Sequence, residues 1–141
     1  MLPALELEVH LQVLVLVVPE QDEENHPADD RDEDDVAALR QALDARSAAS
    51  GTGATAFVDA DIALHRTVVV AAHNPVLTEL FETFVPRLRE AMLDLTAALD
   101  LSAGNEPDAD AHRLLVEAVA DGDAEEAVRI STAHLERLRR P

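Results

Sequence analysis

A chain of 141 residues is long enough for one domain with a sizeable core, and a formal charge of -18 repels the phosphates of nucleic acids. The absence of cysteine excludes disulfide bonds, thiolate metal ligands and a cysteine nucleophile. Aromatic residues are 2% of the sequence, so the core is expected to consist of Ala, Val and Leu. We therefore predict a single domain, residues 1–141, that by itself binds no nucleic acid.

The first 34 residues combine an apolar start with an acidic stretch. Residues 1–20 are apolar, but their longest uninterrupted apolar run, residues 13–18, is far shorter than the roughly 20 residues of a membrane span. Alternation with period two in residues 5–13 favours a strand on local grounds. Residues 20–35 hold ten acidic side chains and one Arg, which predicts a solvated loop without the residue order of an EF-hand.

Apolar residues at helical spacing predict five helices in the rest of the chain. They cover about residues 35–50, 54–72, 76–100 and 108–120, with a last helix after Asp123, whose side chain is a good N-cap. Between the second and third helices, Asn74 is predicted to take the left-handed conformation that ends a helix, and Pro75 follows it. Apolar residues from Leu77 and Leu80 onward make the third helix the longest core helix.

Four side chains on the apolar faces of these helices are candidate metal ligands. Asp61 and His65 are one turn apart, about 6 Å along one stripe of a helix, while His112 and His134 lie on two later helices. Each histidine, taken alone, is also compatible with an ordinary core residue. An inward carboxylate, however, costs several kcal/mol unless it is paired or binds a metal. The set predicts a nitrogen and oxygen site for zinc, nickel or manganese.

Two longer segments carry a resemblance to a known family. VDADIALHRTVVVAAHNPVL contains the Asp-x3-His pair and an Asn-Pro exit, and AHRLLVEAVADGDAEEAVRISTAHLERL contains two helices joined by a Gly-Asp turn. From about residue 35 to residue 140 the chain resembles the FCD ligand-binding domain of GntR-type bacterial transcription regulators of the FadR subfamily. The resemblance implies an all-α antiparallel bundle of about six helices around a central metal and ligand cavity, with a helix rather than a strand in residues 1–20.

The same resemblance implies an effector-sensing, homodimeric and cytoplasmic domain without enzymatic activity. Asp61, His65, His112 and His134 would hold the divalent metal, and a small organic acid would be the effector. Candidate contacts to that acid are His10, at a position where the family has an arginine, together with Asn74 and Arg87. The regulators bind DNA through a winged-helix domain ahead of the FCD domain, and this chain is expected to lack one.

Two other classes of function are open on the sequence alone. An open metal site also activates water, so a metal-dependent hydrolase or lyase is one alternative, although no H-E-x-x-H motif is present. A helical interaction module without metal is the other alternative. It predicts that Asp61, His65, His112 and His134 behave as ordinary core residues when they are substituted.

Overall fold

A computed structural model describes residues 33–99 and 109–139 of the chain, and this part is entirely helical apart from its turns. Its five helices are α1 (Glu33–Ala49), α2 (Ala54–Ala71), α3 (Pro75–Leu99), α4 (Ala109–Ala120) and α5 (Ala124–Arg139). The predicted all-α fold is confirmed, with five described helices against about six expected. The predicted helix within residues 1–20, the acidic stretch up to residue 32 and the predicted loop at 101–107 lie outside the described residues.

The helices pack as a bundle around an aliphatic core. α1 packs on α2, α2 on α3, α4 on α5, and α1 also reaches α4. The short turns that join α1 to α2, α2 to α3 and α4 to α5 are typical of antiparallel neighbours. All five helices contribute fully buried side chains, which include Leu39, Val58, Leu64, Val68, Val69, Phe81, Val116, Val119 and Ala127. Ala, Val and Leu make up most of the buried core, as predicted. Burial of one Val or Leu side chain contributes roughly 1.5–3 kcal/mol.

The turn between α2 and α3 differs from the prediction. His73, not Asn74, takes the left-handed conformation, with φ 54. Asn74 instead caps the start of α3, because its Oδ1 accepts hydrogen bonds from the backbone N–H groups of Val76 at 3.1 Å and Leu77 at 3.4 Å. The short Asn side chain can satisfy these N–H groups, whereas the imidazole of His73 extends to Asp35 on α1, with Nε2 and Oδ2 2.6 Å apart.

The turn between α4 and α5 follows the prediction at its cap. Gly122 has φ 73, a conformation that glycine adopts without a steric penalty. The Oδ1 atom of Asp123 accepts a hydrogen bond of 3.0 Å from the backbone N–H of Glu126, which confirms Asp123 as the N-cap of α5. The Glu126 carboxylate pairs with Arg129 rather than completing a capping box. This turn lays α5 beside α4 and thereby positions the histidines of both helices.

α3 is the longest described helix and continues through Pro86. Its buried side chains include Leu77, Phe81 and Leu88, whereas Leu80, predicted to belong to the core, is 39% exposed. Two ion pairs, Arg66 with Glu82 and Arg89 with Asp59, tie α3 to α2 outside the core. Within residues 33–99 and 109–139, no helix combines the length and the apolar character needed to cross a membrane.

Candidate metal centre

The centre of the site is a buried carboxylate on α2. Asp61 is 2% exposed and His65, one helical turn further on, is 4% exposed. The spacing of four residues brings both side chains to the inner face of α2, and the Nε2 atom of His65 lies 3.3 Å from the Oδ2 atom of Asp61. One oxygen of the carboxylate therefore faces an imidazole from its own helix.

The other oxygen of this carboxylate faces an imidazole from α4. His112 is 5% exposed, and its Nε2 atom lies 3.3 Å from the Oδ1 atom of Asp61. One ligand atom from each of Asp61, His65 and His112 can be chosen so that all three lie within 4.8 Å of one another. The sequence predicted that these three residues point inward, and the structure brings them together.

His134 lies beside this group on α5. Its ring centroid is 4.9 Å from that of His112, and the two rings meet edge to face at 79°. The rings of His65 and His112 form a similar pair, with centroids 5.5 Å apart. All three imidazoles line one small cavity of about 10 Å³, measured as the volume open to the centre of a water molecule. The fourth predicted ligand therefore borders the same cavity, one ring further from Asp61.

Arg46 is a residue of this site that the sequence analysis missed. It is 4% exposed, and its Nε atom donates a hydrogen bond of 2.6 Å to the Oδ1 atom of Asp61. The guanidinium carbon also lies 4.9 Å from the centre of the Phe57 ring. The spacing of Leu39, Leu43 and Arg46 on α1 is helical, so an arginine that continues an apolar stripe was the signal available in the sequence.

These neighbours determine the charge of the carboxylate. Burial by itself raises the pKa of Asp61, but the charge of His65 and hydrogen bonds from His112 and His65 outweigh it and hold that pKa well below its usual range. The guanidinium of Arg46, in direct contact, acts in the same direction. Asp61 is therefore an anionic oxygen donor in the interior of the bundle, at the meeting point of α1, α2 and α4.

The donor set fits a divalent metal ion. Two imidazole nitrogens lie 3.3 Å from the Asp61 carboxylate, one at each oxygen, and such nitrogen and oxygen donors suit zinc, nickel or manganese. The hydrogen bond from Arg46 would orient the carboxylate, as outer partners of ligating carboxylates do.

The remaining predicted contact residues lie elsewhere. Asn74 lines an open groove at the turn between α2 and α3, together with Val70, His73, Pro75, Thr78 and Glu79. Arg87 is exposed on α3, and neither residue is among those that line the small cavity. His10 lies outside the described residues. Arg89, two residues after Arg87, is paired with Asp59 on α2.

The chain is a helical bundle that carries a cluster of one buried carboxylate and three imidazoles. The family model described as the FCD domain matches residues 27–137. The chain therefore belongs to the FCD domain family, in agreement with its resemblance to the effector-binding regulatory domain of GntR-type regulators, a domain that is generally not enzymatic. Comparison with curated proteins and with solved structures gave no match.

Proposed function

We propose that this chain is the effector-sensing and dimerisation domain of a GntR-family transcription regulator and binds one divalent metal ion. The ligands would be Asp61, His65 and His112, with His134 as the fourth. One observation carries the proposal: two buried imidazole Nε2 atoms lie 3.3 Å from the two oxygens of a single buried carboxylate. Zinc is the first choice because imidazole nitrogen and carboxylate oxygen are common zinc ligands, and nickel and manganese are the alternatives.

The effector in this proposal is a small organic acid whose carboxylate completes the coordination of the metal. Of the three contacts predicted for the rest of that molecule, Asn74 and Arg87 do not line the small cavity, so His10, outside the described residues, is the candidate that this proposal keeps. Binding would shift the equilibrium between two packing states of the bundle. The change in free energy of this equilibrium can be no larger than the difference between the binding free energies of the acid to the two states. In a cytoplasmic regulator that pairs two such domains, the shift would reposition winged-helix domains on DNA.

The first test is the metal content of the untagged protein before and after chelation. We expect about one zinc, nickel or manganese ion per chain and a lower melting temperature after its removal, because a metal that binds only the folded chain stabilises it. His112→Ala is expected to lose both the metal and the response to chelation.

A matched histidine control is available at the surface of the same chain. His73 is exposed on the turn after α2, and His73→Asn keeps a residue that tolerates its positive φ. This variant is expected to retain the metal and the response to chelation. A parent protein that contains no metal and does not respond to added ions would contradict the proposal and leave the metal-free interaction module as the better interpretation.

The second test is a thermal-shift series of small carboxylates on the zinc-loaded protein. A ligand at 100 times its dissociation constant stabilises the folded state by about 2.7 kcal/mol, a shift that such an assay resolves. The proposal includes no catalysis, because the FCD domain of transcription regulators is generally not enzymatic. Metal-dependent turnover of an acid that stabilises the protein would contradict the proposed absence of catalysis.

A further inference from the structure

Ser131 presents an unusual hydroxyl to the small cavity. It lies on α5, three residues before His134, and is 2% exposed. Its Oγ atom is buried and makes no hydrogen bond to any group within the described residues. The cavity that it lines also contains the rings of His65, His112 and His134. A polar atom with its hydrogen-bonding capacity unused thus faces the candidate metal centre.

Other hydroxyls on these helices make a local hydrogen bond that Ser131 does not make. Thr67, Thr83 and Thr132 each donate to the carbonyl oxygen four residues earlier in the helix, at 2.8, 2.9 and 2.8 Å. This bond is the usual local solution for a hydroxyl within a helix. Thr132 adopts it one residue after Ser131 on the same helix. Because leaving a buried hydroxyl unsatisfied is unfavourable, the partner of Ser131 is expected to come from the cavity itself.

The cavity has room for about one oxygen atom beside Ser131, either a water or a single oxygen of a larger ligand. A volume of about 10 Å³ open to the centre of a water molecule is close to the smallest space that holds one water. The rest of the wall is apolar, with Ala111, Leu115 and Ile130. A hydrogen-bonding atom in this space would therefore have Ser131 and the three imidazoles as its polar neighbours.

We propose that the Ser131 hydroxyl hydrogen-bonds the oxygen ligand that completes the metal site, whether that oxygen belongs to a water or to a carboxylate. This inference rests on the proposed metal site. Ser131 is a positioning residue in this role and not a metal ligand. Its removal should weaken the bound oxygen ligand while leaving metal binding almost unchanged.

The experiment uses cobalt(II), whose visible absorption reports coordination, in place of the native metal. Parent protein and Ser131→Ala are loaded with cobalt and titrated with acetate. Loss of one hydrogen bond should weaken acetate binding about 3- to 10-fold, with cobalt affinity changed less than about 2-fold. Thr132→Ala is the matched control, since it removes a neighbouring exposed hydroxyl that bonds to its own helix, and it should leave acetate binding unchanged.

If acetate does not change the spectrum of the parent, the bound oxygen is water and the same proteins are compared in a pH titration of the spectrum. Ser131→Ala should then raise the midpoint at which bound water loses its proton, because a donor to hydroxide has been removed. Unchanged acetate binding or an unchanged midpoint would overturn the role of Ser131 alone. Failure of the parent to bind cobalt would overturn the metal site as well.

The metal-free proteins give an independent readout. Ser131→Ala should melt at the same temperature as the parent or higher, because the hydroxyl that it removes is buried without a partner in the described part of the chain. A clearly lower melting temperature would mean that the hydroxyl has a structural role within the folded chain. That outcome would also overturn the proposal.

Discussion

Arg46 and Asp61 form an ion pair that crosses from α1 to α2 in the interior of the bundle. Their side chains are 5% and 3% exposed, so neither charge has water as an alternative partner. Two buried charges offset each other while both are present, and loss of the guanidinium would leave the Asp61 carboxylate with only its imidazole neighbours. The pair therefore couples the packing of α1 to the charge of the candidate metal ligand.

The variant Arg46→Met tests this coupling. In the metal-free protein we expect a loss of about 3–5 kcal/mol in the free energy of unfolding, because the Asp61 carboxylate stays buried without its guanidinium. Metal binding should recover part of this loss by supplying another cation. Urea unfolding with and without zinc measures both effects.

The control for Arg46→Met is Arg66→Met. Arg66 also pairs across two helices, with Glu82, but its side chain is 41% exposed. Water screens such a pair, so the expected loss is at most about 1 kcal/mol. Equal losses in the two variants would show that burial adds nothing to the contact between Arg46 and Asp61.

Asp61 also gives the metal-free protein a defined dependence on pH. Burial raises its pKa, yet His65 and His112 hold the folded value well below the usual range. The folded pKa is thus lower than the unfolded value of about 3.9, so the stabilisation is complete above that pH and is lost as the pH falls through the folded value. Asp61→Asn should flatten the decline in the free energy of unfolding below about pH 4.

Asp59→Asn is the comparison for this acid titration. Asp59 lies on the same helix, and its hydrogen bond from Arg89 also lowers its pKa, but the side chain is 51% exposed. Solvent screening makes its contribution small. Urea unfolding at a series of acidic pH values should therefore show a clearly larger change for Asp61→Asn than for Asp59→Asn.

At the scale of whole helices, apolar periodicity and the capping residues predicted helix bounds correctly wherever neighbouring residues in the sequence set those bounds. The predicted range of α2 differs from the observed Ala54–Ala71 by one residue, because Gly53 and the His73-Asn74-Pro75 turn mark its two ends. The left-handed conformation was assigned to Asn74 and not to His73, because either residue can end a helix. The structure shows His73 in contact with Asp35 on α1 and Asn74 as the cap of α3. Arg46 was missed because its partner lies 15 residues away on another helix.

The N-cap of α5 provides a prediction for a single element. Asp123→Ala removes the hydrogen bond to the Glu126 N–H and should lower the free energy of unfolding by about 1 kcal/mol. Asp121→Ala, in the same turn, removes an exposed carboxylate and should stay within about 0.5 kcal/mol of the parent. Urea unfolding of the two variants decides whether the side chain of Asp123 acts as a cap or only as a surface charge.

Over the whole molecule, the dominant electrostatic feature is the formal charge of -18. Like charges repel one another in a compact state, whereas exposed ion pairs such as Arg66 with Glu82 and Arg89 with Asp59 attract. Salt screens both effects. Because acidic groups far outnumber basic ones, repulsion should outweigh the exposed pairs.

We therefore expect sodium chloride to raise the melting temperature of the metal-free protein. Between about 0.01 and 0.15 M salt the Debye length falls from about 30 to 8 Å, which screens repulsion across the surface more than the contact between Arg46 and Asp61. Differential scanning calorimetry at constant pH measures the change, and equal osmolality of sucrose provides the uncharged control. A melting temperature that falls with salt would mean that attraction within exposed ion pairs outweighs repulsion, because screening of attraction lowers stability whereas screening of repulsion raises it.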